Sequence, residues 1–492
     1  MLRDASKDPN SRTFRVAIVG SGLGGVAAAV NLRKRGIDFT VFEKAEGPGG
    51  VWWANTYPGC GVDTDSLGYS FSFMPYGWKR SHGTQPELQQ YVQDVIDNYD
   101  IGSNFRFSTE IEKAVWDDAT RGYELHLSTG EREHYDVLVS AVGMLSDPAL
   151  PQWPGFDSFE GTMFHSSQWP AELDPTGKRV AVVGTGATAA QLVPALAPQV
   201  AHLTLYQREP HWVLPRVVEV FSPERQAELA RGGLGIKMQR LRAFHSISTY
   251  LSGFTVGSKK HQQLEQSCRD LINRTIEDPA LREIMTPTYP YGCKRPVKTS
   301  DFYPALNQPH VDVVPAAVSA VTPTGLVDVA GGRRDFDVVV LAVGFKATEY
   351  LSSLPVIGPD GVSLQEAWNG NPEAYVGTTV AGFPNLFIMY GPNTNGGGPM
   401  TAQLERQAEL VARMCAAMKK KGRIMVTSRK AMKSFTKWVD EKNEMKWSAL
   451  SAGCNNYYFA ESGRNVTQWP MSHLRFLIKT KLAPMRGISL QR

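Results

Sequence analysis

Two short glycine-rich segments contain residues whose types and spacing suit the binding of nucleotide phosphates. In the first, Gly20, Gly22 and Gly25 follow an apolar run that begins at Arg15, and an alanine-rich stretch comes after them. In a strand–turn–helix unit, the first glycine permits a tight turn, the second admits a pyrophosphate, and the third lets the helix pack on its strand. The free N–H groups at the start of the helix would then hold the phosphates. The pattern predicts a dinucleotide site.

An acidic residue stands where the ribose of such a dinucleotide would lie. Glu43 ends a second strand-like run, 23 positions beyond Gly20. A carboxylate accepts hydrogen bonds from free ribose hydroxyls and would repel a 2′-phosphate. The first site is therefore predicted to take FAD or NAD rather than NADP.

A second unit of the same kind begins near Lys178. Its turn contains Gly184, Gly186 and Ala189, and its second strand leads to Arg208, a cation where the first unit has its acid. A guanidinium suits a 2′-phosphate, so this unit is predicted to bind NADP(H). Two different dinucleotides on one chain imply electron transfer between them.

The elements around the two turns predict the architecture. Apolar runs at 136–143 and 337–344 each end in glycine and are typical of buried parallel strands that close the two sheets. The predicted fold class is α/β, with two Rossmann-like dinucleotide-binding domains, the NADP domain nested in a discontinuous FAD domain and carrying a helical insertion. The FAD domain is predicted to comprise 1–149 and, together with a carboxyl-terminal substrate-side segment, 344–492. The NADP domain is predicted to comprise 150–221 and 286–343, with the helical insertion at 222–285 between them.

Composition excludes several other classes of protein. The chain has 492 residues, 42% of them hydrophobic and 20% charged, which is typical of a globular protein with more than one domain. A net charge of +4 is too dilute for a nucleic-acid surface, and no run approaches the roughly 18 apolar residues of a membrane span. The five scattered cysteines include no C-x-x-C pair, so we expect reduced thiols and no metal site. The amino terminus has no signal-peptide or transit-peptide pattern, so we expect a cytoplasmic protein.

A longer motif lies between the two glycine turns. It has the form F-x-G-x-x-x-H-x-x-x-W-P and consists of Phe159, Gly161, His165, Trp169 and Pro170. Here the sequence resembles the type I Baeyer–Villiger monooxygenases, relatives of the flavin-containing monooxygenases. The resemblance implies that this segment is a linker at the junction of the two domains, which couples domain movement to turnover, and that His165 is not a general base.

A second segment carries the same resemblance. The stretch 49–63 fits G-G-x-W-x-x-x-x-Y-P-G-x-x-x-D, with Gly50, Trp52 and Asp63 at the matching positions. The resemblance implies that the first glycine turn binds FAD and that Gly50 and Trp52 lie at that cofactor.

The resemblance also assigns roles to residues further along the chain. It implies that Lys294 helps to hold the NADP phosphate, and that Arg295 lies over the flavin with Asp63 orienting it. Tyr457 stands where relatives commonly carry a tryptophan that touches the nicotinamide ribose. A permanently charged guanidinium can stabilise an anionic oxygen species at such a place.

The function that follows is an NADPH- and O2-dependent flavin monooxygenase. It would convert a small-molecule ketone into an ester or lactone through a C4a-peroxyflavin stabilised by Arg295. The sequence leaves the particular ketone and the oligomeric state open.

Three other classes of protein are weighed against this one. A flavin-dependent N- or S-oxygenase, acting through the flavin hydroperoxide, uses the same cofactors and is the nearest alternative. A dithiol-using reductase requires a redox cysteine pair, which the chain lacks. A flavoprotein that only binds a partner would leave Arg208, Lys294 and Arg295 without a purpose.

Overall fold

The computed structural model describes residues 13–451 and 456–491. The strands are β1 Arg15–Val19, β2 Asp38–Phe42, β3 Phe105–Arg106, β4 Ile111–Asp117, β5 Gly122–Leu127, β6 Arg132–Tyr135, β7 Val137–Ser140, β8 Thr162–His165, β9 Arg179–Val183, β10 His202–Tyr206, β11 Val213–Leu214, β12 Val297–Lys298, β13 Val311–Val314, β14 Val318–Thr322, β15 Gly325–Asp328, β16 Arg333–Asp335, β17 Val338–Leu341, β18 Val356–Ile357, β19 Leu386–Ile388, β20 Ile424–Thr427 and β21 Ile488–Gln491. The α-helices are α1 Leu23–Arg33, α2 Val51–Ala54, α3 Gln85–Asn98, α4 Ala187–Leu196, α5 Pro223–Arg231, α6 Leu234–Leu251, α7 Lys259–Thr275, α8 Pro279–Met285, α9 Phe302–Leu306, α10 Leu364–Trp368, α11 Met400–Lys421, α12 Arg429–Ser451 and α13 His473–Arg486.

The first glycine turn belongs to a five-stranded parallel sheet. Its strand order is β19-β7-β1-β2-β3, with the turn between β1 and α1. The central strand β1 is paired on both sides, and its residues Val16, Ala17 and Ile18 are fully buried. Such a continuous apolar run is what a strand covered on both faces requires. The edge strand β19 comes from the carboxyl-terminal part of the chain, so this sheet is assembled from distant segments.

The second glycine turn belongs to a second parallel sheet. Its strand order is β13-β10-β9-β17-β8, with the turn between β9 and α4. The two glycine-ended apolar runs form β7 and β17, and each pairs directly with the strand that precedes a glycine turn. All strands of this sheet lie between Thr162 and Leu341. The two sheets confirm the predicted α/β class and its two Rossmann-type units.

The stretch between β11 and β12 is helical and consists of α5 to α8. Side-chain oxygens cap three of these helices, because Ser222, Ser258 and Asp278 each accept a hydrogen bond from a backbone N–H of the first turn. No helix in the described ranges is both long and apolar enough to cross a membrane.

Candidate active site

The three glycines of the first turn have different structural reasons for being glycine. Gly20 has a φ of +101°, which other residues rarely adopt, and a Cβ on Gly25 would lie 1.9 Å from the carbonyl oxygen of Gly20. Gly22 has a φ of −68°, and a Cβ there would come no closer than 3.6 Å to another heavy atom, the Cα of Gly50. The fold itself requires Gly20 and Gly25, whereas Gly22 leaves a backbone cradle that a side chain would enter.

Glu43 is fixed beside this cradle. One carboxylate oxygen accepts hydrogen bonds from the backbone N–H and hydroxyl of Ser21, at 2.8 and 2.7 Å, and the other accepts from the N–H of Ala45 at 2.9 Å. Only 8% of Glu43 is exposed. A buried carboxylate held against a backbone cradle fits the ribose and pyrophosphate of a dinucleotide.

The segment that follows the first turn joins the two units. The indole N–H of Trp52 donates to the hydroxyl of Tyr69 at 3.2 Å, and Trp52 is buried. Further along, the Tyr57 hydroxyl donates to the side-chain oxygen of Gln191 on α4 at 2.9 Å. A Cβ on Gly59 would lie 2.4 Å from the backbone oxygen of the same glutamine. The Y-P-G stretch of the motif therefore contacts α4 of the second unit.

The second turn repeats the geometry of the first. Gly184 has a φ of +116°, Ala189 is fully buried, and a Cβ on Gly186 would meet no heavy atom within 4 Å. The space in front of Gly186 fits a second pyrophosphate.

The residue in the position of Glu43 is Gln207, not Arg208. Gln207 lies 23 positions beyond Gly184, as Glu43 does beyond Gly20, and β10 ends one residue earlier at Tyr206. The sequence prediction thus placed Arg208 one residue too early in the pattern. Arg208 is exposed and forms no ion pair with the described residues of the chain, so its charge is available to a phosphate.

Lys294 forms an ion pair with an acid that the sequence prediction missed. Its Nζ lies 2.5 Å from a carboxylate oxygen of Glu209, and its side chain is only 12% exposed. The backbone oxygen of Glu209 accepts a hydrogen bond from the hydroxyl of Thr185, within the second glycine turn, at 3.0 Å. The same hydroxyl lies 2.9 Å from Nδ1 of His211. The available sequence signal was that Glu209 directly follows Arg208, the predicted phosphate-binding residue.

Arg295 and Asp63 come together from distant segments of the chain. One terminal nitrogen of Arg295 donates to both carboxylate oxygens of Asp63, at 2.8 and 2.7 Å. Burial alone raises the pKa of Asp63, but the positive charges of Arg295 and Lys298 lower it below its ordinary value. The side chain of Asp63 is 15% exposed and that of Arg295 is 49% exposed. The carboxylate is the buried anchor, and the guanidinium faces outward.

Tyr457 contributes to the same cluster. Its hydroxyl lies near Arg295 and the Asn395 side chain, both of which lower its pKa, but burial outweighs them and raises it. The Tyr390 hydroxyl donates to Asn395 at 2.6 Å. Sequence reasoning missed Tyr390 and Asn395, although the Gly-Pro-Asn stretch after a predicted strand was the available signal. Positions 453–455 of the predicted carboxyl-terminal segment lie outside the described residues.

The linker motif connects the end of β8 to the segment that follows β17. His165 ends β8, and its Nε2 lies 3.0 Å from the carbonyl oxygen of Gly344, which follows β17. That carbonyl can only accept, so Nε2 carries the proton and Nδ1 accepts from the N–H of Ser167 at 3.2 Å. Burial lowers the pKa of His165, which favours the neutral ring.

The other motif residues pack around this junction. The rings of Trp169 and Phe164 meet edge to face at 5.2 Å, and Phe159 packs on the core of the second sheet. A Cβ on Gly161 would lie 2.6 Å from the Phe159 ring. The carbonyl oxygen of Pro170, directly after Trp169, accepts a backbone hydrogen bond from Leu173 at 3.2 Å. These contacts hold the junction together, and they give the motif a structural role.

The expectation of reduced thiols is wrong for Cys293. Cys60, Cys268 and Cys415 are free and buried, but Cys293 is disulfide-bonded. Cys454 lies outside the described residues. A disulfide two residues before Arg295 could not be foreseen, because spacing along the chain does not reveal which thiols meet.

The fold and the site together define a class of protein. Each of the two parallel sheets carries a glycine turn whose second glycine could take a Cβ without a clash, and segments from both units meet at the Arg295–Asp63 pair. This is the arrangement of an oxidoreductase that uses two dinucleotides.

Comparison with known proteins narrows this class to a family. A family model described as pyridine nucleotide-disulphide oxidoreductase matches residues 14–252. The chain is 39% identical to a Baeyer-Villiger monooxygenase of Streptomyces coelicolor over 483 residues, which cover 95% of this chain and 91% of the relative. A closed crystal structure of cyclohexanone monooxygenase superposes with a TM-score of 0.87 at 27% identity, covering 98% of this chain and 100% of that one. OTEMO in complex with FAD and NADP superposes with a TM-score of 0.87 at 26% identity, with the same coverage.

The chain belongs to the Baeyer–Villiger monooxygenase family and is an enzyme. The family predicted from the two sequence motifs is thereby confirmed.

Proposed function

We propose that this enzyme converts ketones into esters or lactones with NADPH and O2, and that Arg295 stabilises the negative charge which develops on oxygen. The observation that carries the proposal is the Arg295–Asp63 pair, a guanidinium held by a buried carboxylate and half exposed. A charge fixed in advance stabilises a developing anion without reorganisation during the reaction.

The enzyme contains FAD and depends on NADPH, as the two turns predict. We assign FAD to the first turn, with its pyrophosphate at Gly22 and its ribose at Glu43. We assign NADP(H) to the second turn, with its pyrophosphate at Gly186 and its 2′-phosphate near Arg208 and Lys294. Bound FAD supplies hydride acceptance and the activation of dioxygen.

Two neighbouring side chains hold Arg295 in position. Asp63 holds Arg295 through two hydrogen bonds, and Tyr457 contacts it from the carboxyl-terminal segment. Because guanidinium is not deprotonated in proteins, Arg295 keeps its positive charge. We infer that Arg295 is catalytic and that Asp63 is a positioning residue.

The surroundings of Arg295 favour an apolar ketone. Phe254 of the helical insertion, Cys293 of the arginine loop and Tyr458 of the carboxyl-terminal segment form a small buried cluster. Three separate segments of the chain thus bring apolar surface to the region next to the polar centre. An apolar wall with a few polar groups is the usual construction of a small-molecule site.

The test compares the purified wild type with Arg295→Ala and Arg295→Lys. NADPH oxidation, ester or lactone, sulfoxide and hydrogen peroxide are measured with a cyclic ketone and with a thioether. We expect Arg295→Ala to oxidise NADPH but to lose ester formation by about 10²- to 10³-fold, as when an oxyanion-stabilising donor is removed. Arg179→Ala is the matched control, because Arg179 also pairs with one aspartate, Asp337 at 2.8 Å, on the second sheet.

Two results would contradict the proposal. Undiminished ester formation by Arg295→Ala would show that ester formation does not require Arg295. Sulfoxide without any ester from the wild type, at every pH tested, would favour the N- or S-oxygenase alternative.

A further inference from the structure

Lys294, one of the two cations assigned here to the NADP phosphate, already forms an ion pair within the chain. Lys294 Nζ lies 2.5 Å from Glu209 Oε2. The ammonium also lies 5.2 Å from the centre of the Tyr289 ring. With 12% of the lysine side chain exposed and 46% of the glutamate, the acid is the more accessible partner.

Glu209 is held at the rim of the second glycine turn. Its backbone oxygen accepts from Thr185 at 3.0 Å, and Thr185 separates the glycines Gly184 and Gly186. Glu209 also lies two residues beyond Gln207, which occupies the position equivalent to the ribose-binding acid Glu43. Gln207 is 2% exposed, and its side-chain oxygen is buried with no hydrogen-bond partner in the described structure. The second unit therefore has a neutral amide, Gln207, where the first has the carboxylate of Glu43. Its carboxylate, Glu209, comes two residues later in the chain.

We propose that Glu209 is an internal counter-ion that competes with the 2′-phosphate of NADP(H) for Lys294, and that it thereby sets how strongly the enzyme prefers NADPH to NADH. The proposal rests on the assignment of NADP(H) to the second turn. To bind Lys294, a 2′-phosphate must displace the carboxylate of Glu209 from it. NAD(H) has no 2′-phosphate and so does not compete with Glu209 for the lysine, and its free 2′-hydroxyl can donate to a carboxylate.

The experiment measures nucleotide binding rather than turnover. NADP+, NAD+ and adenosine 2′,5′-bisphosphate are titrated into the FAD-loaded enzyme by calorimetry, for the wild type and for Glu209→Gln. We expect Glu209→Gln to bind NADP+ and the bisphosphate about tenfold more tightly, equivalent to about 1.4 kcal/mol, and to bind NAD+ no more tightly than the wild type.

A double-mutant cycle tests whether the effect passes through the lysine. In a Lys294→Met background, Glu209→Gln should change NADP+ affinity by less than twofold, because the group for which the two anions compete is gone. Asp312→Asn is the control for overall charge, since Asp312 pairs with His202 at 3.0 Å on the same sheet. That substitution should leave all three affinities unchanged.

Three outcomes would overturn the inference. Weaker or unchanged NADP+ binding by Glu209→Gln would mean that the acid positions Lys294 instead of competing with the phosphate. Equal tightening for NAD+ would indicate a general charge effect, and an undiminished effect in Lys294→Met would exclude competition for that lysine. Since binding is read directly, absence of ketone oxidation would contradict the proposed function and leave this inference standing.

Discussion

Asp63 accepts two hydrogen bonds from a single nitrogen of Arg295 across a sequence separation of 232 residues. Desolvation of Asp63 would by itself favour the neutral acid, but Arg295 and Lys298 overcome it and lower the pKa below the ordinary value. The lowered pKa favours the ionised carboxylate, which is the form that pairs with the guanidinium.

Asp63→Asn should separate cofactor oxidation from oxygen transfer. The amide keeps the shape of the side chain but removes the charge that fixes the guanidinium. We expect NADPH oxidation within about threefold of the wild type and ester formation reduced about tenfold or more, with hydrogen peroxide making up the difference. Asp440→Asn, which alters the Arg464 pair at 3.0 Å, is the matched control. A normal ratio of ester to peroxide in Asp63→Asn would exclude a positioning role.

Substitution of alanine for Gly22 and for Gly186 should weaken the binding of FAD and of NADP+, respectively. Both positions have a negative φ and no close contact for an added Cβ, so the variants are expected to fold. The methyl group would instead enter the cradle of a pyrophosphate. Gly22→Ala should purify with less FAD, read from its flavin absorbance, and Gly186→Ala should keep FAD but bind NADP+ about tenfold more weakly or worse.

Each of these variants serves as the control for the other. Gly25→Ala gives the structural contrast, because its Cβ would clash at 1.9 Å with a backbone oxygen and should destabilise the protein. A Gly22→Ala protein with its full flavin content would argue against the first cradle.

Arg208→Ala should weaken the binding of NADPH but not that of NADH. Arg208 is exposed and makes no ion pair within the described residues, so its removal breaks no internal contact of that kind. We expect the KM for NADPH to rise about tenfold or more and that for NADH to change by less than about twofold, since only NADPH carries the 2′-phosphate. Equal losses for both nucleotides would exclude that contact.

His211 should make the protein less stable in acid. Burial, reinforced by the charge of Lys294, lowers the pKa of His211 to about 3. An unfolded histidine titrates near about 6.5, so below that pH the unfolded chain takes up a proton that the folded chain does not. The stabilising contribution is full above about pH 6.5 and declines as the pH falls toward about 3, by about 2 kcal/mol at pH 5.

Urea unfolding at pH 8 and pH 5 measures this effect. The loss of unfolding free energy between the two pH values should be smaller in His211→Asn than in the wild type. The variant and the wild type are compared in the same buffers and urea series. An identical pH dependence in the two proteins would contradict the prediction.

Much of the fold could be predicted because its signals are local. A strand, a glycine turn and a helix follow one another within about 20 residues, so their spacing along the chain is also their spacing in space. For this reason Gly20, Gly22 and Gly25 and the second turn were recognisable, as were β7 and β17 from their apolar, glycine-ended runs. The helical insertion was recognisable from its charged, non-alternating composition.

The position of Arg208 in the pattern shows where local reasoning was one residue off. The sequence placed a cation directly at the end of β10, but the strand ends at Tyr206 and Gln207 occupies the position equivalent to Glu43. A shift of one residue at a strand end changes which side chain corresponds to the acid of the first unit, and strand ends are the least certain feature of a sequence-based prediction.

By itself, the sequence determined the α/β class, the two nucleotide turns and the family, because these depend on neighbours in the chain and on motifs of fixed spacing. The resemblance already implied the pairing of Arg295 with Asp63, but only the tertiary structure revealed the partners of other polar side chains. It paired Lys294 with Glu209 and Tyr57 with Gln191. Such contacts depend on how separate segments pack and on where each side chain ends, and no spacing along the chain records that.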